Sequence, residues 1–323
     1  MNNHNAFLAS LLLLSSLVYG VAAVAEESPA GKATAAPGSH YTDKGADTCI
    51  KCHDEDSEFP VFSIFKTKHA QKNDLRTPFG GTQCEACHGP GAEHSKKVPE
   101  GTKQAPIVMF GAKAATSPEK QNKFCLDCHE GNARIAWKAS NHEGGNLACA
   151  SCHKVHAPRD AVLAKTTQPD VCYTCHKKER ADFLKPSTHP VATGLLACSE
   201  CHSPHGSNAG KLLAKSTVNQ TCYTCHAEKR GPFLWEHAPV SEDCTLCHSP
   251  HGSVHAALLK KSAPLLCQQC HAAGTHPSEP LNANSLPGGS LPGLASKLLL
   301  GGCANCHSQV HGSNHPSGPK LMR

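Results

Sequence analysis

Cysteine and histidine follow one spacing throughout this chain of 323 residues. The pentapeptide Cys-x-x-Cys-His occurs ten times, and the ten copies contain all 20 cysteines. Two thiols three positions apart lie on one side of a helical turn, where both can form thioethers to the vinyl groups of one porphyrin. The histidine that follows can then supply an axial nitrogen to the iron. This pattern is the attachment motif of a c-type haem.

The motifs predict ten covalently bound haem c groups. The candidate thioether residues are Cys49, Cys52, Cys84, Cys87, Cys125, Cys128, Cys149, Cys152, Cys172, Cys175, Cys198, Cys201, Cys222, Cys225, Cys244, Cys247, Cys267, Cys270, Cys303 and Cys306. The candidate proximal iron ligands are the motif histidines, His53, His88, His129, His153, His176, His202, His226, His248, His271 and His307.

Other sites also use Cys-x-x-Cys pairs, namely zinc ribbons, thioredoxin-like redox centres and disulfide frameworks. A zinc ribbon needs no histidine directly after the second cysteine, and a thioredoxin motif occurs singly. Because every copy here ends in His and no cysteine is left over, the pattern favours haem attachment over these alternatives.

Residues 1–25 have the features of a secretory signal peptide: an apolar stretch from Ala6 to Val18, then small residues up to Ala25. The first five residues lack Lys and Arg, which departs from the usual pattern. The alternative is a retained membrane anchor, for which the apolar run is short. We therefore expect an exported, periplasmic protein that begins at Glu26.

The composition favours an interior filled by haem. With 9 Phe, 2 Trp and 4 Tyr, the chain has few large apolar side chains from which to build a core. The formal net charge is +5, but each ferric haem with two ionised propionates adds about −1. Ten haems would reverse the sign, so the basic polypeptide does not indicate a nucleic-acid partner.

The spacing of the motifs also indicates a repeat. A two-haem unit starts at Cys149, Cys198 and Cys244, and each copy begins with Cys-x-x-Cys-His-x-x-His. Such repetition predicts a stack in which each unit mainly contacts its neighbours. We expect mostly irregular loops with short α-helices around the motifs, for example over residues 219–229, and little or no β-structure. Residues 26–48, rich in Ala, Pro and Gly, are expected to form a flexible N-terminal arm.

The sixth iron ligands must come from residues outside the motifs. After the signal peptide, thirteen further histidines but only two methionines, Met109 and Met322, are available. At least eight haems of any six-coordinate set must therefore be bis-His. Histidines such as His156 and His205 lie three residues after a motif histidine, a distance of about 10 Å when extended. That is too short to pass around a porphyrin, so these residues must serve a different haem if they bind iron.

Two segments resemble a known family. Cys222-Tyr-Thr-Cys-His226-Ala-Glu-Lys-Arg-Gly-Pro-Phe-Leu-Trp-Glu-His237-Ala-Pro-Val and Cys303-Ala-Asn-Cys-His307-Ser-Gln-Val-His311-Gly-Ser-Asn-His315-Pro-Ser-Gly are similar to the MtrA/MtoA/PioA-type decahaem cytochromes, a family that includes DmsE. The similarity extends over essentially the whole mature chain. It implies an elongated, haem-stacked multihaem cytochrome c with two pentahaem halves, residues 49–189 and 190–323.

The resemblance also implies ligands and partners. The distal iron ligands would be His69, His94, His142, His156, His189, His205, His237, His251, His276 and His311, which leaves His40, His255 and His315 spare. The partners would be an outer-membrane β-barrel porin of the MtrB kind, periplasmic or inner-membrane c-type cytochromes and an outer-surface multihaem cytochrome.

The function that follows is electron transfer across the outer membrane, in extracellular iron or metal reduction or in Fe(II) oxidation, without catalysis. One alternative is a free periplasmic shuttle that feeds a terminal reductase. Another is a multihaem reductase, which needs an iron with an open coordination position. No motif departs from Cys-x-x-Cys-His, and this regularity favours the conduit over the reductase.

Overall fold

The computed structural model describes residues 40–271 and 303–322. Short helices joined by turns and loops make up these ranges. The α-helices, numbered α1–α10 here, are Ala46–Cys49, Glu85–His88, Pro118–His129, Asn141–Gly144, Cys149–Cys152, Gln168–Tyr173, Lys177–Asp182, Val218–Cys222, Ala238–Glu242 and Ala263–Cys267. Turns of 3-10 helix cover Phe62–Lys66, Lys68–Ala70, Pro78–Gly80, Asn132–Arg134, Ala161–Leu163, Cys198–Glu200, Gly210–Leu212, Ala227–Lys229, Cys244–Leu246, Ala256–Leu258 and Cys303–Asn305.

Pairing between extended segments is limited to isolated bridges in the described ranges. Four occur: Ser187–Ser253, His202–Leu213, Trp235–Ser313 and His248–Leu259. The predicted fold class, short helices and loops with little β-structure, is thereby confirmed. None of the helices in residues 40–271 and 303–322 has the length and apolar character needed to span a membrane.

Each haem motif closes one helical turn. In nine motifs the backbone N–H of the histidine donates to the carbonyl of the first cysteine at 2.9–3.1 Å, and the tenth, residues 125–129, is the last turn of α3. The turn brings both cysteines to one side, as the spacing requires. The prediction of a helix over residues 219–229 is wrong as to its length. Helix α8 ends at Cys222, and His226 has a non-helical backbone (φ −98°, ψ 49°).

The longest helix, α3, has local start and stop signals. Ser117 is the N-cap, and its side chain accepts a hydrogen bond from the Lys120 N–H. Pro118 occupies the first turn, where its missing N–H costs nothing. On the exposed side, Lys123 and Asp127 form an i,i+4 ion pair of 2.9 Å. The helix thus carries the third motif at its C-terminal end on a stable turn.

Buried side chains in the described ranges are polar as often as apolar. The buried apolar residues are Ala46, Phe79, Trp137, Ala148, Val191, Ala197 and Leu321, whereas eight buried residues are polar or charged. Large apolar side chains such as Leu75 and Leu184 are more than 80% exposed. An ordinary hydrophobic core is therefore small, as the composition predicts.

Buried amides join consecutive motifs. The Asn122 side chain donates to the Leu147 carbonyl (2.9 Å) and accepts from the Cys149 N–H (2.7 Å). Asn219 makes the same pair of contacts, to the Val240 carbonyl (2.8 Å) and from the Cys244 N–H (2.8 Å). Both asparagines lie three residues before the first cysteine of their own motif. Each amide therefore fixes the position of one motif against the next.

Residues 40–48, which the sequence assigns to the N-terminal arm, contact the second motif. The compact unit of the structure begins at His40, whose carbonyl accepts from the Ala92 N–H at 3.1 Å. Buried Glu85 accepts from the Thr42 N–H (3.0 Å) and the Gly91 N–H (2.6 Å). The boundaries at residues 25 and 189 stay predictions.

Gly206 and Gly252 allow the chain to approach itself closely. Each directly follows a distal-ligand candidate, His205 or His251. A Cβ built on Gly206, whose φ is +111°, would collide with the Ala136 carbonyl, and one on Gly252 would collide with the Asp182 carbonyl. Only glycine fits at such contacts, so these two residues determine how near the preceding histidine lies to another segment.

Candidate haem-binding sites

The structure brings the candidate iron ligands together in pairs, each with one motif histidine and one distal candidate. Ring centres within a pair are 5.9–6.3 Å apart. The nine pairs are His53–His94, His129–His69, His88–His156, His176–His142, His153–His205, His226–His189, His202–His251, His271–His237 and His248–His311.

This separation suits two axial ligands of one iron. A metal-bound imidazole nitrogen lies about 2 Å from its metal, so two imidazoles on opposite sides of one iron have ring centres about 6 Å apart. Imidazole on both sides is also a ligand set that haem iron accepts. The donor chemistry and the spacing therefore fit bis-His haem at nine motifs.

The remaining candidates lie elsewhere. His276 is outside the described residues, so its relation to the tenth motif stays a prediction. His307 of that motif has its Nδ1 at 2.6 Å from the Lys320 carbonyl. Within the described ranges, His40, His255 and His315 do not belong to the paired rings, and their assignment as spare stays a prediction.

Histidines that lie three or four residues after a motif face a different motif. His156 follows His153 in the sequence but pairs with His88. His205 pairs with His153 rather than with the nearby His202. This is the arrangement expected from the short reach of three residues.

Hydrogen bonds orient the distal imidazoles. Nδ1 of His142 lies 2.7 Å from the Pro204 carbonyl, and Nδ1 of His189 lies 2.8 Å from the Pro250 carbonyl. Nδ1 of His237 is 2.9 Å from the Val310 carbonyl. Because a carbonyl can only accept, each Nδ1 carries the proton and Nε2 is left for a metal.

The acceptor carbonyls have a second feature in common. Pro204, Pro250 and Val310 each directly precede another distal candidate, His205, His251 or His311. One loop therefore orients one histidine pair through its backbone and supplies a ligand candidate to another. Sequence reasoning missed these acceptors, although the repeated Pro-His-Gly triplet at residues 204–206 and 250–252 was a usable indication.

The motif histidines have similar partners. Nδ1 lies within 2.6–2.9 Å of a backbone carbonyl in four of them: His88 with Val108, His202 with Lys211, His248 with Ala257 and His307 with Lys320. In His153, Nδ1 instead lies 2.8 Å from Oδ2 of Asp160. These bonds fix the ring orientation and the tautomer of the proximal candidates.

Burial disfavours the charged form of several of these imidazoles. Desolvation is the main cause that lowers the pKa of His88, His129, His156, His205, His251 and His311 below the usual value. Neutral imidazole is the form that binds a metal. The electrostatics of these positions therefore favour ligation.

Cysteines of consecutive motifs lie near one another. The first cysteines pair as Cys49–Cys84, Cys125–Cys149, Cys172–Cys198, Cys222–Cys244 and Cys267–Cys303. A hydrogen bond with Cys125, for example, lowers the pKa of the Cys149 thiol to about 7. The second cysteines interact electrostatically across the intervening junctions, as Cys87–Cys128, Cys152–Cys175, Cys201–Cys225 and Cys247–Cys270. All nine junctions are covered, so the motifs are adjacent in space in the order of the chain.

A buried donor provides a further test of the fit. In the described ranges, Trp235 Nε1 is the buried side-chain polar atom without a hydrogen-bond partner. Trp235 precedes His237 by two residues, and its backbone pairs with Ser313, two residues after His311. An indole N–H needs an acceptor when buried. A haem propionate carboxylate is an acceptor of the required kind, so this donor also fits a haem protein.

The chain is similar to known cytochromes. It matches the family model for a doubled CXXCH motif over residues 189–231 and 237–276, and the cytochrome c-type protein NrfB-like model over residues 84–169. It is 48% identical over 286 residues to the multiheme cytochrome MtrA of Shewanella baltica (strain OS185), covering 88% of this chain and 83% of that protein.

Two more distant relatives share parts of the chain. The cytochrome c-type protein NrfB of Escherichia coli O6:H1 is 28% identical over 46% of this chain and 72% of its own length. The C-type polyheme cytochrome OmcB of Geobacter sulfurreducens is 24% identical over 61% of this chain and 25% of its own length.

Proposed function

This chain belongs to the MtrA family of multihaem c-type electron-transfer cytochromes, and we propose that it carries electrons between periplasmic cytochromes and the cell exterior. In this proposal the ten motifs hold ten haem c groups, and the protein works inside an outer-membrane porin–cytochrome complex. It serves extracellular iron or metal reduction or Fe(II) oxidation and catalyses no reaction of its own.

The chain supplies the groups that would hold each cofactor. Two cysteines would anchor the porphyrin, and the two imidazoles of one histidine pair would bind its iron. When bound, each haem supplies an iron that changes between the ferric and ferrous states by one electron. The Nδ1 hydrogen bonds, such as that of His237 to the Val310 carbonyl, hold the rings in one orientation, which keeps the rearrangement that accompanies a change of charge small.

The proximity of consecutive motifs, in the order of the chain, carries the proposal. Cysteines of consecutive motifs hydrogen-bond at five junctions and interact electrostatically at the other four, from the first motif, at Cys49, to the last, at Cys303. A continuous series of neighbouring redox centres suits conduction from one end of the series to the other. We propose that the terminal motifs, ending in His53 and His307, are the points of exchange with partners.

The histidine pairs favour conduction over catalysis. A reductase needs an iron with one open position, whereas nine motif histidines here face a second imidazole at about 6 Å, the spacing of two axial ligands. The tenth pair is proposed to be His307 with His276. Ten six-coordinate haems would leave no position for a substrate.

The proposed location and partners rest on the family. An exported chain reaches the periplasm after removal of residues 1–25. A β-barrel porin of the MtrB kind would allow the chain to cross the outer membrane, since a closed barrel satisfies its own backbone in lipid. A c-type cytochrome on the periplasmic side and an outer-surface multihaem cytochrome are the proposed exchange partners.

Purification tests this assembly. Outer membranes from cells with a tagged copy of this chain are solubilised in mild detergent, and the periplasmic fraction is processed in parallel. We expect the haem protein to elute with a β-barrel protein in fixed stoichiometry. Recovery only as a free periplasmic monomer would contradict the conduit and favour the shuttle. Electron transfer across liposomes that contain the complex, with donor and acceptor exchanged between the two sides, then tests the direction.

A further inference from the structure

His153 differs in the group that accepts its Nδ1 hydrogen bond from the four motif histidines that are bonded to a backbone carbonyl, His88, His202, His248 and His307. Its Nδ1 lies 2.8 Å from Oδ2 of Asp160, whose side chain is 15% exposed. Of the carboxylates in the described ranges, this is the one within hydrogen-bond distance of an imidazole. Glu179 and Glu228 come no nearer than 3.7 and 3.9 Å to His176 and His226, which exceeds hydrogen-bonding distance.

Comparison of the three repeat copies shows why a carboxylate takes the place of a carbonyl at His153. In the copies that start at Cys198 and Cys244, a leucine lies eleven residues after the motif histidine, at Leu213 and Leu259. The equivalent leucine of the first copy, Leu163, lies ten residues after His153. The loop of the first copy is therefore one residue shorter than the loop of the other two.

The longer loops present a backbone carbonyl to the imidazole. Lys211 and Ala257 have φ values of +57° and +54°, and their carbonyls lie 2.9 and 2.8 Å from Nδ1 of His202 and His248. In the shorter loop the residue at the turn is Asp160, with φ −74° and ψ 110°. Its side chain reaches His153 in place of the missing carbonyl.

A carboxylate is a different acceptor from a carbonyl. A hydrogen bond to an ionised group is roughly twice as strong as one between neutral groups. A stronger acceptor on Nδ1 makes the imidazole a better electron donor through Nε2, and second-shell hydrogen bonds of this kind raise ligand basicity. A more basic axial ligand stabilises ferric iron relative to ferrous iron.

We propose that Asp160 strengthens His153 as an iron ligand and thereby lowers the reduction potential of the haem at Cys149 and Cys152 below those of the equivalent haems at Cys198 and Cys244. Asp160 is a positioning residue. It acts through His153 on the potential for the one-electron reduction of ferric to ferrous iron. This inference rests on the haem ligand set proposed above and is independent of the outer-membrane location.

The test compares two matched substitutions in the full haem-loaded chain. Asp160→Asn replaces the charged acceptor with a neutral amide of the same size. The control is Asp243→Asn, because Asp243 also precedes a 3-10 turn and accepts its hydrogen bonds from the N–H and hydroxyl of Thr245 instead of from an imidazole. Asp243 directly precedes Cys244, so both substitutions remove a carboxylate charge beside a haem motif.

Spectroelectrochemical titration gives the first measurement. Asp160→Asn should raise the reduction equilibrium constant of one haem about tenfold, which is about 59 mV for one electron. Asp243→Asn should change it by less than threefold. In electron paramagnetic resonance, the g values of one low-spin ferric signal should change in Asp160→Asn alone, and Asp160→Glu should restore both properties.

Equal shifts in the two variants would overturn the proposal, because they would assign the effect to loss of charge. Unchanged potentials in Asp160→Asn would overturn it as well. If that variant fails to take up ten haems, Asp160→Ser replaces it with the same expected result, since serine keeps the helix cap but not the charge. A high-spin signal in the unmodified protein would instead show that the ligand set itself is wrong.

Discussion

Imidazole nitrogens determine what each motif can do. Nε2 of a motif histidine and Nε2 of its partner are the proposed iron ligands, and the acceptor at Nδ1 sets their orientation. His237 illustrates the arrangement: its ring centre is 6.1 Å from that of His271, and its Nδ1 is bonded to the Val310 carbonyl. The metal-binding property of the residue thus depends on a backbone carbonyl 73 positions away.

His237→Ala should leave all ten haems attached and remove one axial ligand. The thioethers are unaffected, so the haem content stays at ten, while the haem at Cys267 and Cys270 becomes five-coordinate. Electron paramagnetic resonance should then show one high-spin ferric haem. His255→Ala, which removes a spare histidine, is the control and should leave every haem low-spin. An unchanged spectrum in His237→Ala would disprove this ligand assignment.

Among the elements, the contacts between motifs depend on polar groups more than on apolar packing. Asn219, at the start of α8, bonds to the segment that carries the next motif through both atoms of its amide. Asn219 is only 6% exposed, so its amide needs these protein partners. A helix of five residues would have little stability alone, and the amide joins it to the neighbouring unit.

Asn219→Ala should destabilise the haem-loaded protein by about 1–3 kcal/mol, because it leaves the partly buried Cys244 N–H and Val240 carbonyl unpaired. Guanidinium unfolding, followed by Soret circular dichroism, measures the loss. Gln220→Ala, at the exposed neighbouring position of the same helix, should cost less than about 0.5 kcal/mol. Similar losses in the two variants would show that the amide does not hold the motifs together.

For the whole molecule, the ten motifs lie in one series whose spatial order follows the sequence. Successive junctions involve first cysteines and second cysteines in turn, beginning with Cys49 and Cys84 and then Cys87 and Cys128. The formal charge of +5 becomes negative when ten haems are added, and more negative with each electron. Partner docking should therefore depend on the redox state and on ionic strength.

Intact mass spectrometry tests the composition of the mature protein. The expected mass is that of residues 26–323 plus ten haems, because each motif has its own pair of cysteines. A Cys303→Ala/Cys306→Ala variant should lose the mass of one haem. A mass that retains residues 1–25 would contradict the predicted signal peptide, and fewer than ten haems would contradict the predicted cofactor content.

The sequence by itself determined the chemistry that is local. Attachment of haem needs only five residues in one helical turn, so Cys-x-x-Cys-His identifies each motif without knowledge of the fold. Scarcity of methionine likewise indicates bis-His ligation, and the sparse helical fold follows from the repeats and the composition. Resemblance to a family named the distal candidates, such as His142 and His189, but did not assign them to motifs.

Only the tertiary structure decided which histidines face each other. The paired rings come from positions as far apart as His88 and His156, and even the two nearest pairs, His142–His176 and His237–His271, are separated by 34 residues. No local periodicity can encode such contacts, because they depend on how loops of different length return to the stack. The same holds for Asp160, whose contact with His153 exists because one loop is a residue shorter than its counterparts.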